Sequence, residues 1–204
     1  MANLNQPSGL APVKYKDGNP WNGQGKQYCI LAADTNQYWI GDPVTTIGNA
    51  GADSFGIPAI TLGVAGSATR GVIVGLGTLR NGPYINPNNL NQLPTRPSGA
   101  QSVNWYALIA DDSNILFEIQ EAGGGSILTS SSVNRNVNYN TGTRTSTLTI
   151  SPTFLDNSTV STTATLNLKI IQVVQRPDVT PFAQFAKWLV TINNHEFSGG
   201  TTSP

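Results

Sequence analysis

The sequence predicts an all-β fold: a β-sandwich or jelly-roll-like body with an extended N-terminal arm, long loops and little helix. Apolar and β-branched residues occur in short runs between clusters of Gly, Pro, Asn and Asp, a pattern typical of strands spaced every ~8–12 residues. Ala164, Leu166, Leu168 and Ile170 alternate with polar residues, which is the period of a strand with one buried face. No segment of comparable length favours a helix.

Residues 1–27 are predicted to form the extended arm, because Pro7, Pro12 and Pro20 exclude a helix there. The arm nevertheless contains apolar side chains that are unusual in a plain linker: Leu4, Leu10, Val13, Tyr15 and Trp21. Two interpretations stay open. Either the arm folds against a partner, or it lies across its own domain.

Residues 28–197 are predicted to form the β-rich body and residues 198–204 a flexible tail. We expect strands at 27–32, 37–40, 43–47, 57–62, 69–76, 102–110, 115–120, 146–150, 163–174 and 187–192. Residues 111–114 are predicted to be a hairpin connection. Long loops are expected at 77–101 and 123–145, the second with the alternation of an exposed hairpin. Residues 180–186 are the best helix candidate, with an aromatic wedge in a loop as the alternative.

The charge composition limits the classes of partner. Eleven basic and eleven acidic residues give no net charge, so the chain has no basic surface for nucleic acid or anionic lipid. Charged residues make up 11% of the chain, whereas about 25% is usual, and Ser, Thr, Asn and Gln supply about a third. Such a surface favours association. No apolar run could span a bilayer and the first residues do not resemble a signal peptide, so we expect residence in the cytosol or in a particle assembled there.

Candidate catalytic residues are few. The single Cys29 lies in an apolar run and is predicted to be a buried packing residue, and the single His195 is predicted to be a surface or rim residue. Ser54 lacks the strand and helix of a nucleophile elbow and is predicted to lie in a turn. Residues 112–114 begin like a calcium-binding loop, but apolar residues follow at the positions where further oxygen ligands would be needed. We therefore expect no catalytic, cofactor-binding or metal-binding residues, and a binding or structural protein.

Several whole segments resemble the capsid decoration, or cement, proteins of tailed bacteriophages. They are PSGLAPV (7–13) with PWNGQ (20–24), YCILAADTN (28–36) with IGDPV (40–44), RGVIVG (70–75), WYALIADDSNILFEIQE (105–121), and TATLNLKI (163–170) with KWLVTINNH (187–195). These segments follow one another over most of the chain. Each is a predicted strand with a turn, so the resemblance concerns a shared fold and role and no active site.

The resemblance implies a virion structural protein that is not an enzyme and needs no cofactor. It would bind the outside of the capsid, bridge subunits of the major capsid protein and associate with itself as a homodimer or homotrimer. Neither nucleic acid nor a membrane is expected as a direct partner. The expected location is the capsid exterior, with host cytoplasm during assembly. We predict capsid or subunit contacts at Leu10, Val13, Tyr15 and Trp21, because aromatic anchors dominate interfaces.

Two alternatives stay open. A head fibre, spike, or receptor- or carbohydrate-binding module of the phage particle would also use exposed aromatic and amide side chains. A hydrolase acting on glycans would need a carboxylate pair drawn from Glu118, Glu121 and Asp112.

Overall fold

The computed structural model describes residues 2–48, 51–80, 94–145 and 148–203. These residues contain thirteen strands, and the only helical segment among them is a single 3-10 turn at Ser130–Ser132. The strands form antiparallel sheets, which confirms the predicted all-β, sandwich-like fold.

The first sheet has six strands. In spatial order they are β1 (Ala11–Tyr15), β9 (Ile115–Gln120), β13 (Lys187–Ile192), β12 (Leu168–Val173), β10 (Asn136–Asn140) and β11 (Phe154–Ser161). The sheet curls, because a parallel bridge joins Glu121, directly after β9, to Leu155 in the far strand β11.

The second sheet has five strands: β2 (Lys26–Ile30), β8 (Trp105–Ala110), β6 (Gly71–Gly77), β4 (Pro43–Thr46) and β5 (Ile60–Leu62). It also curls, since Cys29 N donates a hydrogen bond of 2.9 Å to Pro58 O and bridges to Ala59, next to β5. A pair of two-residue strands, β3 (Tyr38–Trp39) and β7 (Thr95–Arg96), completes the described sheets.

Two hydrophobic cores follow from the alternation of side chains. The larger lies between the sheets, where Phe117 and Trp188 pack with Val72, Val74 and Ala110 of the second sheet. The smaller lies inside the curl of the second sheet, and its members are Tyr28, Ile30, Tyr38, Val44, Ile60, Ile73, Leu76, Trp105, Ala107 and Ile109. The second sheet therefore packs against a hydrophobic core on each of its two faces.

The hairpin predicted for residues 111–114 is wrong. β8 pairs with β2 and β6, whereas β9 pairs with β1 and β13, so these residues carry the chain from one sheet to the other. The turn itself is present, since Asp112 Oδ1 accepts the main-chain N–H of Asn114 at 2.8 Å. Both strands are almost wholly buried, so each is a central strand of its own sheet.

The predicted arm lies across its own domain. Its residues 11–15 are β1, an edge strand in which Pro12 pairs with Phe117 beside a register shift. Proline is tolerated there because an edge strand leaves one row of backbone groups unpaired within the sheet. The tail predicted for residues 198–204 also contacts the body, since Ser203 N donates to Thr162 O at 3.2 Å.

Other predictions differ in detail. β10 and β11 were not predicted as strands of the body, and β7 lies within the loop predicted at 77–101. Residues 81–93 of that loop and residues 146–147 of the strand predicted at 146–150 lie outside the described residues, and residues 148–150 form no strand. The helix candidate at 180–186 is a series of turns in which Phe182 and Phe185 have positive φ, and Phe182 packs edge-on to Trp188 with ring centroids 5.9 Å apart.

Candidate functional site

Leu10, one of the four predicted contact residues, is a core residue and is only 1% exposed. The preceding Gly9 has φ +74°, and a Cβ there would meet the main chain of Gly41. This close approach lets Leu10 N donate to Gly41 O at 2.9 Å and turns the Leu10 side chain inward. The predicted partner contact at Leu10 is therefore corrected to packing within the chain.

The other three predicted contact residues lie nearer the surface. Val13 is 41% exposed and lines a shallow cleft on the first sheet together with Glu118 and Leu189. Tyr15 and Trp21 are partly buried, because part of each ring packs against the larger core of the same domain. The main chains of Val13 and Trp21 lie side by side, since Trp21 N donates to Val13 O at 3.0 Å.

The N-terminal segment 2–8 is attached to the body largely by amide side chains. Asn3 Nδ2 donates to Thr180 O at 3.0 Å and to Gln184 O at 2.9 Å, and Asn3 Oδ1 accepts Thr180 N at 2.7 Å. Gln120 Nε2 donates to Leu4 O at 2.8 Å. These bonds hold the main chain of the segment and leave the Leu4 side chain 73% exposed.

A cleft of about 430 Å³ lies beside this segment, and we call it the N-terminal cleft. Its apolar lining comes from Leu4, Ile150, Val179 and Phe185, and Ile150 is 50% exposed. Its charged lining residues are Asp178 and Lys187. Exposed apolar side chains on a charge-poor surface are a feature of protein-binding sites.

A second feature is a cluster of charged groups around Arg70. Arg70 Nε donates to Tyr28 Oη at 2.6 Å, and Tyr28 Oη donates to Asp111 Oδ2 at 2.8 Å. Arg70 also pairs with Glu196 at 3.5 Å, and Lys26 pairs with Asp111 at 3.4 Å. Burial raises the pKa of Tyr28 to about 12, so its hydroxyl stays protonated and acts as a bridge between the two charges.

His195 is buried in this cluster, so the prediction of a surface or rim residue is wrong. Phe197 N donates to its Nδ1 at 3.1 Å, which leaves the proton on Nε2, and Nε2 donates to Asp111 O at 3.1 Å. Burial lowers the pKa of His195. Both ring nitrogens are thus occupied by main-chain groups, and the imidazole fixes the chain end against the turn at Asp111.

Beside the Arg70 cluster is a cleft of about 370 Å³ with two aromatic side chains, Tyr15 and Phe197, which we call the aromatic cleft. Phe197 is 58% exposed, and the Arg70 guanidinium lies 3.6 Å from its ring centroid. The polar lining residues are Gln24, Lys26, Asp111, Asp112 and Ser113. Phe197 and Arg70 were not predicted as site residues, because only the tertiary fold brings Arg70 to Phe197 and Phe197 to the cleft that Tyr15 lines.

The three carboxylates considered for hydrolysis are not brought together. Glu118 is held by Arg176 through two bonds of 2.7 and 3.0 Å. Glu121 lies in the core, where its Oε2 accepts the Trp188 indole N–H at 2.9 Å and its Oε1 has no hydrogen-bond partner among the described residues. Burial raises the pKa of Glu121 to about 7. Asp112 lies at the opposite end of β9, in the turn that begins it.

Asp42 is a fully buried carboxylate in the loop before β4. Arg144 donates to both of its oxygens, at 2.8 and 3.1 Å, and Trp39 N donates to Oδ2 at 2.8 Å. The hydroxyls of Ser151 and Thr153 donate to Oδ1 at 2.6 and 3.2 Å. This group is structural, because its acceptor sites are filled by groups that join distant parts of the chain.

Cys29 is buried, and burial raises the pKa of its thiol to about 11, as expected for a packing residue. Ser54 lies in a turn organised by Asp53, whose Oδ1 accepts Phe55 N and Ile57 N at 2.9 Å each. No group of three or more His, Cys, Asp and Glu side chains in the described part of the chain is placed to hold a metal ion.

Comparison with protein-family models, with curated proteins and with solved structures found no match to this chain. Within the ranges that the structure describes, no helix is long and apolar enough to cross a membrane. The N-terminal cleft and the aromatic cleft are therefore the candidate binding sites of the described structure.

Proposed function

We propose that this chain is a virion structural protein that binds the outer surface of a tailed-phage capsid and stabilises it by bridging major capsid protein subunits. The observation that supports this proposal best is the N-terminal cleft. Leu4 and Ile150 both line it and expose large apolar side chains, on a chain with few charged residues. A protein surface that covered them would remove apolar area from water.

The attachment of the N-terminal segment fits this role. It is anchored by hydrogen bonds of the Asn3 side-chain amide and of the Leu4 main-chain carbonyl, so the Leu4 side chain is presented at a defined position. An anchor that is already ordered loses less conformational entropy on binding than a disordered arm would. The segment therefore acts as a fixed edge of the contact surface.

The stabilising effect would come from area buried across joints between capsid subunits. Each Å² of apolar surface covered contributes roughly 25 cal/mol, and separating the subunits would expose it again. When one oligomer holds several subunits, each further contact becomes intramolecular. Individually weak contacts then add up to a durable attachment.

The proposal is tested with purified heads of the phage that encodes the chain, prepared without it. Wild-type protein should co-sediment with the heads at saturable occupancy and raise the temperature at which they release DNA. Changing Leu4 and Ile150 together to Asn should weaken attachment by at least about tenfold, because burial of each such side chain is worth about 1.5–3 kcal/mol. Val103→Asn is the control, since Val103 is 52% exposed, close to the 50% of Ile150, but lies outside the cleft.

A wild-type protein that stays in the supernatant would overturn the proposal. Equal loss of attachment in the double variant and in Val103→Asn would refute the role of the N-terminal cleft. Attachment should change little with salt, because the only charged lining residues of the cleft, among those described, are Asp178 and Lys187.

A further inference from the structure

A third cleft, of about 360 Å³, adjoins the aromatic cleft, and the two share Ser113. We call it the lysine cleft. Its polar lining residues are Lys16, Lys169, Ser113, Thr191, Asn193, Ser198 and Thr201. Phe197 of the aromatic cleft and Ser198 of the lysine cleft are consecutive residues, so the two clefts form one continuous surface.

The lysine cleft contains two positive charges and no carboxylate. Lys16 Nζ donates to Ser113 O at 2.8 Å, and Lys169 Nζ donates to Thr201 Oγ1 at 3.3 Å. Neither ammonium group is within ion-pair distance of a carboxylate in the described ranges. Burial lowers the pKa of Lys16, and among its charged neighbours the opposing effect of Asp112 is larger than the lowering effect of Lys169.

The aromatic cleft has the groups that fit a ring bearing hydroxyls. The Phe197 side chain is 58% exposed, with the Arg70 guanidinium on one side of its ring, and together with the partly buried ring of Tyr15 it offers apolar surface to the C–H face of such a ring. The Asp112 carboxylate and the Gln24 amide line the same space and can accept hydrogen bonds from hydroxyl groups.

We infer that the aromatic cleft and the lysine cleft together bind an acidic saccharide. One sugar ring lies against Phe197 and Tyr15, and the carboxylate of a neighbouring sugar lies between Lys16 and Lys169. A protein partner is less well matched here, because protein interfaces centre on apolar anchor pockets and these clefts are lined mainly by hydroxyl, amide and charged groups. The inference does not depend on capsid attachment.

The test measures binding of short uronic acid chains, tetragalacturonate and tetramannuronate, by calorimetry or by NMR shifts. Neutral maltotetraose and tetraglutamate are the comparison ligands. At least one uronate should bind at least about tenfold more tightly than either comparison ligand. Changing Lys16 and Lys169 together to Gln should weaken that binding by about tenfold and remove its salt dependence.

Phe197→Ala should weaken uronate binding by about fivefold, the usual contribution of one aromatic contact. Lys14→Gln is the matched control, because Lys14 lines a different cleft, beside Val13 and Glu118. Unchanged thermal unfolding of each variant shows that the fold is intact. Attachment of the Lys16/Lys169 variant to phage heads, measured in parallel, separates this inference from the proposed function.

Three results would overturn the inference. The first is failure of both uronates to bind the wild-type protein. The second is equal binding of tetraglutamate, which would mean that the lysine cleft recognises negative charge alone. The third is uronate binding that persists when both lysines are replaced.

Discussion

Replacing Glu121 by Gln should stabilise the protein above pH 7 and leave its stability nearly unchanged at pH 4. The Glu121 side chain is buried beside Trp188 without a cationic partner in the described structure, and burial raises its pKa from 4.5 to about 7. A carboxyl group of raised pKa must lose its proton inside the folded protein, whereas in the unfolded chain it ionises freely.

The free energy of unfolding should therefore fall as the pH rises from 4.5 to about 7, and this loss should then stay constant. The rise in pKa from 4.5 to about 7 corresponds to a loss of about 3 kcal/mol. Below pH 4.5 both states carry the protonated form, so Glu121 makes no contribution to the pH dependence. The neutral amide of the Gln variant removes the loss.

The assay is urea unfolding of both proteins at pH 4, 6 and 8, followed by tryptophan fluorescence. His195 contributes to the pH dependence with the opposite sign, because its pKa is lowered by burial and the free energy of unfolding therefore falls as the pH drops below its ordinary value of 6.5. The difference between the two proteins cancels the contribution of His195. A difference that does not grow between pH 4 and pH 8 would refute the assignment of a buried, ionisable Glu121.

Three further predictions concern the interior and the ion pairs. Asp42→Ala leaves the Arg144 charge without its partner. It should lower the free energy of unfolding, measured by urea denaturation, by about 4 kcal/mol. Glu118→Gln breaks a bond to the half-exposed Arg176 and should cost about 1 kcal/mol or less, so equal effects of the two changes would contradict the assigned burial. In the native protein at pH 8 the buried Cys29 should react with an aromatic disulfide reagent at least about a hundredfold more slowly than in urea, and rapid native labelling would contradict its position.

Strands with continuous apolar runs between turn residues could be predicted from the sequence. β9 and β13 have the bounds that were predicted, because their side chains alone indicate burial. β11 could not be predicted in this way, since its centre contains Asp156, Asn157 and Ser158. Its strand conformation depends on pairing with β10, and the residues of β11 alone do not indicate that pairing. β1 contains Pro12, and a proline is tolerated there only because β1 is an edge strand.

The candidate sites were predicted less well than the fold. Leu10 was predicted to contact a partner because it is an apolar residue of an arm expected to be extended, but the turn at Gly9 directs it into the core. His195 was predicted to lie at the surface because it is near the chain end, but its bridge to Thr69 buries it. Long-range pairing decides both outcomes, and a local pattern carries no information about it.

The proposed function depends above all on attachment to the outer surface of a phage head. The most direct measurement is an electron cryomicroscopy density map of heads prepared without the protein, compared with a map of the same heads after it is added. We expect new density at the joints between capsid subunits, with the N-terminal cleft against the capsid. Identical maps, together with a protein that remains monomeric in solution, would contradict it.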